Sequence, residues 1–495
     1  MKLLYIDLFC GAGGTSTGVE NARHDGRQCA KVIGCVNHDA NAIASHAANH
    51  PDALHFTEDI RTLELSPLTA HIAEMRRQYP DAFVVLWASL ECTNFSKAKG
   101  GQPRDADSRT LAEHLFRYIE AINPDYIQIE NVEEFMSWGD LDENGKPISK
   151  DAGRLYQQWV SNVCGYGYRF AHRILNSADY GAYTTRRRFF GIFAKESLPI
   201  VFPEPTHSKD GATGLFGRTQ RWKPVREVLD FSDEGESIFG RKKPLVDATL
   251  ERIYAGLIKF VAGGKEAFLV KWNSMSQTGK YHAPSIDEPC PTVATQNRLG
   301  IAQVNFLSKH YGGSPEGNCV SVEEPAGTIT TWDHHSFITA YYGNGHNHSI
   351  DAPAPTLPTR DRLAFVDMQY GNGAPCDIES PAPTVTTNPK LQLVTCRMEQ
   401  QESTTTITSD DSPAMAKIKR FMALYGIVDI KMRMLRIPEL KRIMGFPPDY
   451  VLVGTQADQK KFIGNAVEVN MARVLCEALC ARLIEGDWRP IQIAA

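Results

Sequence analysis

A chain of 495 residues with 42% hydrophobic and 22% charged residues can bury at least one large core, and its length points to two or more domains. No apolar run reaches the roughly eighteen residues a membrane span needs, and the opening MKLLYIDLFCGAGG lacks the basic flank and cleavage pattern of a secretory signal, so a globular protein of the cytoplasm is expected. A net charge of −5 gives no overall attraction to polyanions, and the 11 cysteines, without a CxxC pair or the Cys/His spacing of a zinc site, read as reduced and mostly buried.

The first two hundred residues alternate strand-like apolar runs (KLLYIDLFC, KVIGCVNHD, AFVVLWASL, DYIQIENV) with helical stretches such as SRTLAEHLFRYIEAI. That alternation implies βαβ units and an α/β fold, a doubly wound, Rossmann-like sheet whose sites lie at the carboxyl ends of the strands. Residues suited to chemistry fall where the strand patterns stop. DLFCGAGGTSTGVE (7–20) runs from a strand through a glycine turn into a helix, and Gly11, Gly13 and Gly14 would let the backbone approach a bound nucleoside. It is not the full dinucleotide fingerprint, and no GxxxxGK[ST] is present to cradle a triphosphate. Asp39, Cys92 and Glu130 follow later strands in the same way.

From about Phe202 the texture changes to Pro, Gly, Thr and aromatic residues with short strand-like runs, marking a domain boundary. Four segments, 286–304, 322–340, 350–367 and 378–395, share an acid, Pro, Pro or Gly, Thr, apolar, x, Thr pattern and read as copies of one small β unit, either a structural array or a base-contacting one. Basic residues cluster at Arg186 to Arg188, in RTQRWKPVR (218–226), in RKK (241–243) and from Lys417 to Arg442, as nucleic-acid footprints or as solvated helix faces. After the polar stretch MEQQESTTTITSDDS (398–412), helical patterning returns and ends in an amphipathic helix whose Val469, Ala472, Val474, Leu475, Ala478 and Leu479 suit packing on the first domain. The expected organisation is a catalytic cofactor-binding domain over 1–200, a recognition region over 201–430 holding the repeats (about 286–395), and a segment over 431–495 that completes the first domain.

Taken in order, D-L-F-x-G-x-G-G-x-x-x-G, LWASLECTNFSKAKGG (86–101), IENVEEF (129–135), ADYGAYTTRRRFFGIFA (178–194), RMLRIPELKRIMGFPPDY (433–450) and FIGNAVEVNMARVL (462–475) resemble the successive motifs of the cytosine-C5 DNA methyltransferases, over roughly residues 4–195 and 431–485. The resemblance implies S-adenosylmethionine as methyl donor, with Phe9 stacked on its adenine, Gly11, Ala12, Gly13 and Gly14 facing its methionine part, and Asp59 and Ile60 at the adenine edge. It also implies Asn37 and His38 near the ribose, where the family usually carries an acid, and Leu111, Asn465 and Val467 as further contacts. Cys92 stands in the nucleophile's place, although Glu91 and Thr93 replace the usual proline and glutamine. A carboxylate beside the thiol disfavours the thiolate unless it is turned away or paired. Glu130 matches the carboxyl that protonates or hydrogen-bonds N3 of cytosine. Arg186 and Arg188 match the arginine pair, with Thr184 where glutamine is usual; Arg188 would contact the cytosine O2 and Arg186 position the catalytic groups.

The implied reaction requires the base to be rotated out of duplex DNA. The loop carrying Ser96, Lys97, Lys99 and Arg104 would close on the phosphates, and Thr386 and Thr387 would touch the backbone. Double-stranded DNA is then the partner, a cognate restriction endonuclease a further one, and a monomer the default state. Three other readings stand beside this one: an enzyme acting on transfer RNA, a silent DNA-binding homologue, and an enzyme that transfers another one-carbon group or acts on a modified cytosine.

Overall fold

The structure, a computed structural model, describes residues 1–90, 112–139, 153–211, 213–214, 217–233, 235–259, 267–271, 283–293, 295, 299–309, 319–320, 335–336, 364–368, 376–377, 391–395, 406–425 and 427–490. Cys92, Ser96, Lys97, Lys99, Arg104, Leu111, Thr386 and Thr387 lie outside the described residues, as do Glu91 and Thr93. Two compact units emerge, one formed by 1–229, 287–297 and 436–495, the other by 230–286 and 298–435.

The first unit is built on seven strands: β1 (Leu3–Leu8), β2 (Ala30–Val36), β3 (Leu54–Phe56), β4 (Phe83–Ser89), β5 (Tyr126–Asn131), β6 (Tyr168–Asn176) and β7 (Arg187–Lys195), in the order β3-β2-β1-β4-β5-β7-β6. Strands β1 to β5 are parallel. A central parallel strand is covered on both faces and therefore apolar throughout, which is why every residue of β1 is buried. Alternation divides it: Leu4, Ile6 and Leu8 enter one core with Val84, Leu86 and Ala88, while Leu3 and Tyr5 enter the other with Phe83, Val85 and Trp87.

One strand, β7, departs from the expected parallel direction. β7 runs antiparallel between β5 and β6. Only ten residues separate Asn176 from Arg187, with a short 3-10 turn over Ser177–Tyr180, and that is too few for the helical crossover a parallel neighbour needs.

Helices α1 (Gly14–Asn21), α2 (Ala40–Asn49), α3 (Ser66–Gln78), α4 (Leu115–Ile122) and α5 (Arg154–Cys164) connect the strands. The C-terminal helix, Val469–Glu485, returns to the second core, where Val469, Met471, Ala472, Leu475, Cys476, Leu479, Cys480 and Leu483 are buried; of the expected stripe, Val469, Ala472, Leu475 and Leu479 are buried, while Val474 and Ala478 sit half-buried at its edge. It packs on α1 so closely that a Cβ on Gly18 would lie 2.7 Å from the Ala472 side chain.

In the second unit, Ile427–Met434 pairs antiparallel with Leu299–Lys309, which pairs with Ala267–Lys271 on its other side. Ile253, Leu257, Ile418, Met422 and Ile430 make its core. Ala364–Met368, Cys376–Asp377 and Leu391–Thr395 form a small antiparallel sheet; the rest of the last three repeats lies almost wholly outside the described residues. Among the described residues no helix is long and apolar enough to cross a membrane.

Candidate active site

Parallel register brings the strand ends into one row. Leu8 pairs with Val36 on one side and Ala88 on the other, Val36 with Phe56, and Ala88 with Ile129. The segments that leave this row carry Phe9 to Gly14, Asn37 and His38, Asp59 and Ile60, and Glu130. The chain running on to Cys92 leaves it at Leu90. Residues drawn from across more than a hundred positions thus meet along one edge, where open α/β sheets bind ligands.

The glycine turn is shaped by two different demands. Phe9 and Gly11 adopt left-handed φ values of 60° and 53°, a conformation a bulky residue such as Phe takes only when its surroundings impose it. A Cβ added to Gly11 would meet nothing within 4 Å, so this is the open side of the turn. Gly13 and Gly14 face protein instead. A Cβ on Gly14 would sit 2.5 Å from the Val467 carbonyl oxygen, and one on Gly13 would strike the Tyr450 hydroxyl, which itself donates to the Ala12 carbonyl at 2.5 Å. Two of the three glycines read from sequence as space for a ligand are thus also required for the close approach of the C-terminal segment.

Around the turn, Asn37 accepts a hydrogen bond from the Asp39 backbone N–H at 2.9 Å, and Asp39 caps α2 through the N–H groups of Asn41 and Ala42. His38 is exposed. Arg61 grips the Asp59 carboxylate at 2.6 Å and, with its own backbone N–H, holds it down to about 2, so Asp59 is an ionised acceptor at neutral pH. Ile60 is buried, and its carbonyl accepts from the Tyr118 hydroxyl and from Arg117, both at 3.0 Å. Asn465 ends the helix Gln456–Asn465 with its side chain exposed, whereas Val467 is buried against Gly14.

At the other end of the row, Glu130 is 6% exposed, and its Oε1 has no hydrogen-bond partner among the described residues. Among the described residues its ion-pair partner is Arg188, whose Nε stands 3.3 Å from that oxygen as a charge contact rather than an aligned hydrogen bond. A buried carboxylate oxygen left without a donor is costly, and a ligand group carrying an N–H or O–H would satisfy it. Asn131 donates to the Leu90 carbonyl at 3.4 Å and so ties the ends of β4 and β5 together.

Arg186 and Arg188 both turn inward while Arg187 faces out to Glu133, as alternation predicts. Their environments differ. Arg186 is 4% exposed and donates to the carbonyls of Gly464 and Val293, so it binds segments of the unit far apart in sequence. Thr184 is fully buried and bridges to Cys290, and its hydroxyl has no hydrogen-bond partner among the described residues. The 287–297 segment, from the first repeat, thereby joins this unit.

Several contributors carry no local signal in the sequence. His46 and His50 close the protein side of the turn, each 3.2 Å from a Cβ placed on Gly13, and Tyr450, at the end of the 433–450 segment, reaches the same position. Asp7 is fully buried, and burial pushes its carboxyl up to about 8 although Ser16 donates to it at 2.8 Å. Many cations of the 417–442 cluster are spent internally: Lys417 on Glu251, Lys419 on Asp411, Arg433 on the Asp233 carboxylate, and Lys441 on the carbonyls of Pro448 and Tyr450.

Comparison with known proteins agrees with this geometry. The profile of the C-5 cytosine-specific DNA methylases matches residues 3–221 and 327–481. Type II methyltransferase M.AgeI of Thalassovita gelatinovora is 28% identical over 211 residues, 42% of this chain and 44% of that one. Type II methyltransferase M1.HphI of Haemophilus parahaemolyticus is 27% identical over 216 residues, 43% of this chain and 52% of that one. The chain spans about half the length of these relatives. Among solved structures, the methyltransferase EhMeth of Entamoeba histolytica aligns over 98% of this chain and 99% of its own at 12% identity and a TM-score of 0.46.

Proposed function

The chain belongs to the C-5 cytosine-specific DNA methylase family, and from that premise we propose that it methylates C5 of a cytosine rotated out of duplex DNA, with Cys92 as nucleophile and S-adenosylmethionine as donor. The observation that carries the reading is the buried Glu130 carboxylate, one oxygen of which has no hydrogen-bond donor among the described residues, one strand over from the point where the chain runs on to Cys92.

The glycine turn suits a nucleoside-bearing donor: Gly11 is open on the side away from the protein, and Phe9 stands beside it half-buried. Phe9, Gly11, Asp59, Ile60 and Asn465 would hold the donor, with Ala12, Gly13, Gly14 and Val467 shaping the turn behind it. When bound, S-adenosylmethionine supplies the methyl group. The residues supply the rest. C5 of cytosine is a poor nucleophile, so the Cys92 thiolate adds at C6, forming an S–C6 bond, while Glu130 holds a proton at N3 to receive the electron pair. Arg188, already beside Glu130, is placed for the neighbouring O2, and Arg186 fixes the strand that carries it. Once C5 has been methylated, loss of its proton to solvent and cleavage of the S–C6 bond restore Cys92.

Sequence choice falls to the region 201–430, with Thr386 and Thr387 on the backbone, and closure over the phosphates to Ser96, Lys97, Lys99 and Arg104. Leu111 completes the donor pocket. The enzyme acts in the cytoplasm as a monomer, with a cognate restriction endonuclease as its counterpart.

The test is incubation of the native chain and of Cys92→Ala with duplex DNA and methyl-labelled S-adenosylmethionine, followed by base-resolution mapping. Label in 5-methylcytosine at one short sequence, lost in the variant, is expected. No label on varied unmodified duplexes from a chain that binds the donor would overturn the proposal.

A further inference from the structure

Directly behind the glycine turn, on its protein side, four side chains with metal-binding atoms converge from four elements of the first unit. Cys10 follows β1, Cys35 lies in β2, His46 in α2 and His55 in β3. The ligand atoms of Cys10, Cys35 and His46 all lie within 4.8 Å of one another, and all three residues are buried. Cys35 Sγ is 3.7 Å from His46 Nδ1, and His55 Nε2 is 3.0 Å from the same nitrogen.

Hydrogen bonding on the far side of the ring points in the same direction. Ser16 donates its proton to Asp7 Oδ2 at 2.8 Å, so its oxygen is left to accept from His46 Nε2 at 2.9 Å. That places the ring proton on Nε2 and turns the bare Nδ1 lone pair toward Cys35 and His55. A hydrogen-bonded relay, here through Ser16 to the Asp7 carboxyl, that fixes the remote nitrogen of an imidazole is the arrangement that orients a histidine as a metal ligand.

We propose that Cys10, Cys35, His46 and His55 form a structural zinc site that locks the Phe9–Gly14 turn to β2, α2 and β3. Two thiolates and two neutral imidazoles cancel the charge of a divalent cation, so the completed site is neutral, as burial demands. Mixed sulfur and nitrogen donors select zinc over the hard cations. Tetrahedral Zn–S and Zn–N bonds of about 2.3 and 2.0–2.1 Å put ligand atoms about 3.3–3.8 Å apart, so the Cys10, Cys35 and His46 ligand atoms, all within 4.8 Å of one another, need contract by about 1 Å at most. Binding expels the two thiol protons to solvent, and the half-buried His55 gives the ion its way in. Nothing in this site depends on the methyl-transfer reading, since none of its four residues is among those assigned to the donor or to the reaction.

The test uses the untagged, full-length chain, purified under a non-thiol reductant, with zinc counted by mass spectrometry and the metal-depleted chain titrated with cobalt(II). Expected are one zinc per chain, and a cobalt spectrum showing tetrahedral ligand-field bands with a thiolate charge-transfer band that zinc abolishes. Cys35→Ser and His46→Gln should lose both signals, while Cys164→Ser, a half-buried thiol outside the cluster, should keep them. Where a core variant does not fold, His55→Ala decides, because this side chain is only half-buried; it should weaken the ligand-field bands and lower cobalt affinity at least tenfold. No bound zinc together with no thiolate-to-cobalt band in the native chain would overturn the proposal, and so would a spectrum unchanged in both Cys35→Ser and His55→Ala.

Discussion

Glu130 shows how much one strand-end position can decide. Its carboxyl is buried, stands beside Arg188 and, among the described residues, keeps one oxygen without a hydrogen-bond donor. On the proposed reaction, Glu130→Gln keeps the shape but cannot pass a proton to N3, so the methyl-transfer rate should fall ~10²–10⁴-fold while donor affinity, assigned there to the other end of the strand row, stays within about twofold. Single-turnover kinetics beside a calorimetric titration of S-adenosylmethionine checks this; equal losses in both would mean that Glu130 supports the fold rather than the chemistry. The glycines divide just as sharply. Gly14→Ala drives a Cβ to 2.5 Å from the Val467 carbonyl and 2.9 Å from the Ala466 side chain, and backbone cannot yield as a side-chain tip can. A loss of ~1–3 kcal/mol in urea unfolding is expected. At Gly11 nothing is struck, and only the left-handed φ opposes the methyl group, so Gly11→Ala should cost ~1–2 kcal/mol at most and act chiefly on donor affinity. A Gly14→Ala protein as stable as the native one would show that the C-terminal segment does not hold the turn.

The C-terminal helix begins on an unusual cap. Glu468 is fully buried, accepts from the backbone N–H groups of Asn470 and Met471, and is pushed up to about 7 by burial, which those hydrogen bonds and the nearby Arg473 and Arg186 only partly offset. Because its folded pKa lies above the unfolded carboxylate value, the folded state binds the extra proton between pH ~4.5 and about 7, and stability falls as pH rises through that window. The shift corresponds to about 3 kcal/mol. Glu468→Gln should flatten this part of the stability profile, measured by urea midpoints at pH 5 and pH 8; an unchanged slope would assign the pH dependence to another group. At this scale the sequence was legible where a pattern is local. The apolar runs marked β1, β2, β4 and β5, their ends marked the candidate site, and a stripe of apolar residues marked the last helix. The antiparallel β7 was not legible, because nothing in RRRFFGIFA distinguishes the direction in which it pairs. Nor was the cluster behind the turn, since Cys10, Cys35, His46 and His55 share no spacing motif. Arg186 was readable as a functional arginine, but not as one that binds Gly464 and Val293, whose neighbourhood exists only once the chain has folded.

Across the whole molecule, the first unit is discontinuous: its sheet comes from the first two hundred residues, but one face of that sheet is covered by a helix from the last sixty. Val467, Met471, Ala472, Leu475, Leu479 and Leu483 pack with Leu3, Tyr5, Val19 and Val85, and Arg186 spends its guanidinium on Gly464. At roughly 1.5–3 kcal/mol for each large apolar side chain withdrawn from water, this segment contributes an amount comparable to the whole ~5–15 kcal/mol of net stability a domain ordinarily has. A chain ending at Leu435 should therefore lose cooperative unfolding and S-adenosylmethionine binding together, even though it keeps every strand, Cys92 and Glu130. Supplying residues 436–495 as a separate polypeptide should restore both in proportion to the amount added, because the missing contacts are noncovalent and complementary. Near-ultraviolet circular dichroism and donor titration on the truncated chain, with and without that fragment, make the comparison. If the truncated chain melts cooperatively and binds the donor as the full chain does, the cover on β1 is dispensable, and the close approach of Val467 to Gly14 is a consequence of the fold rather than one of its supports.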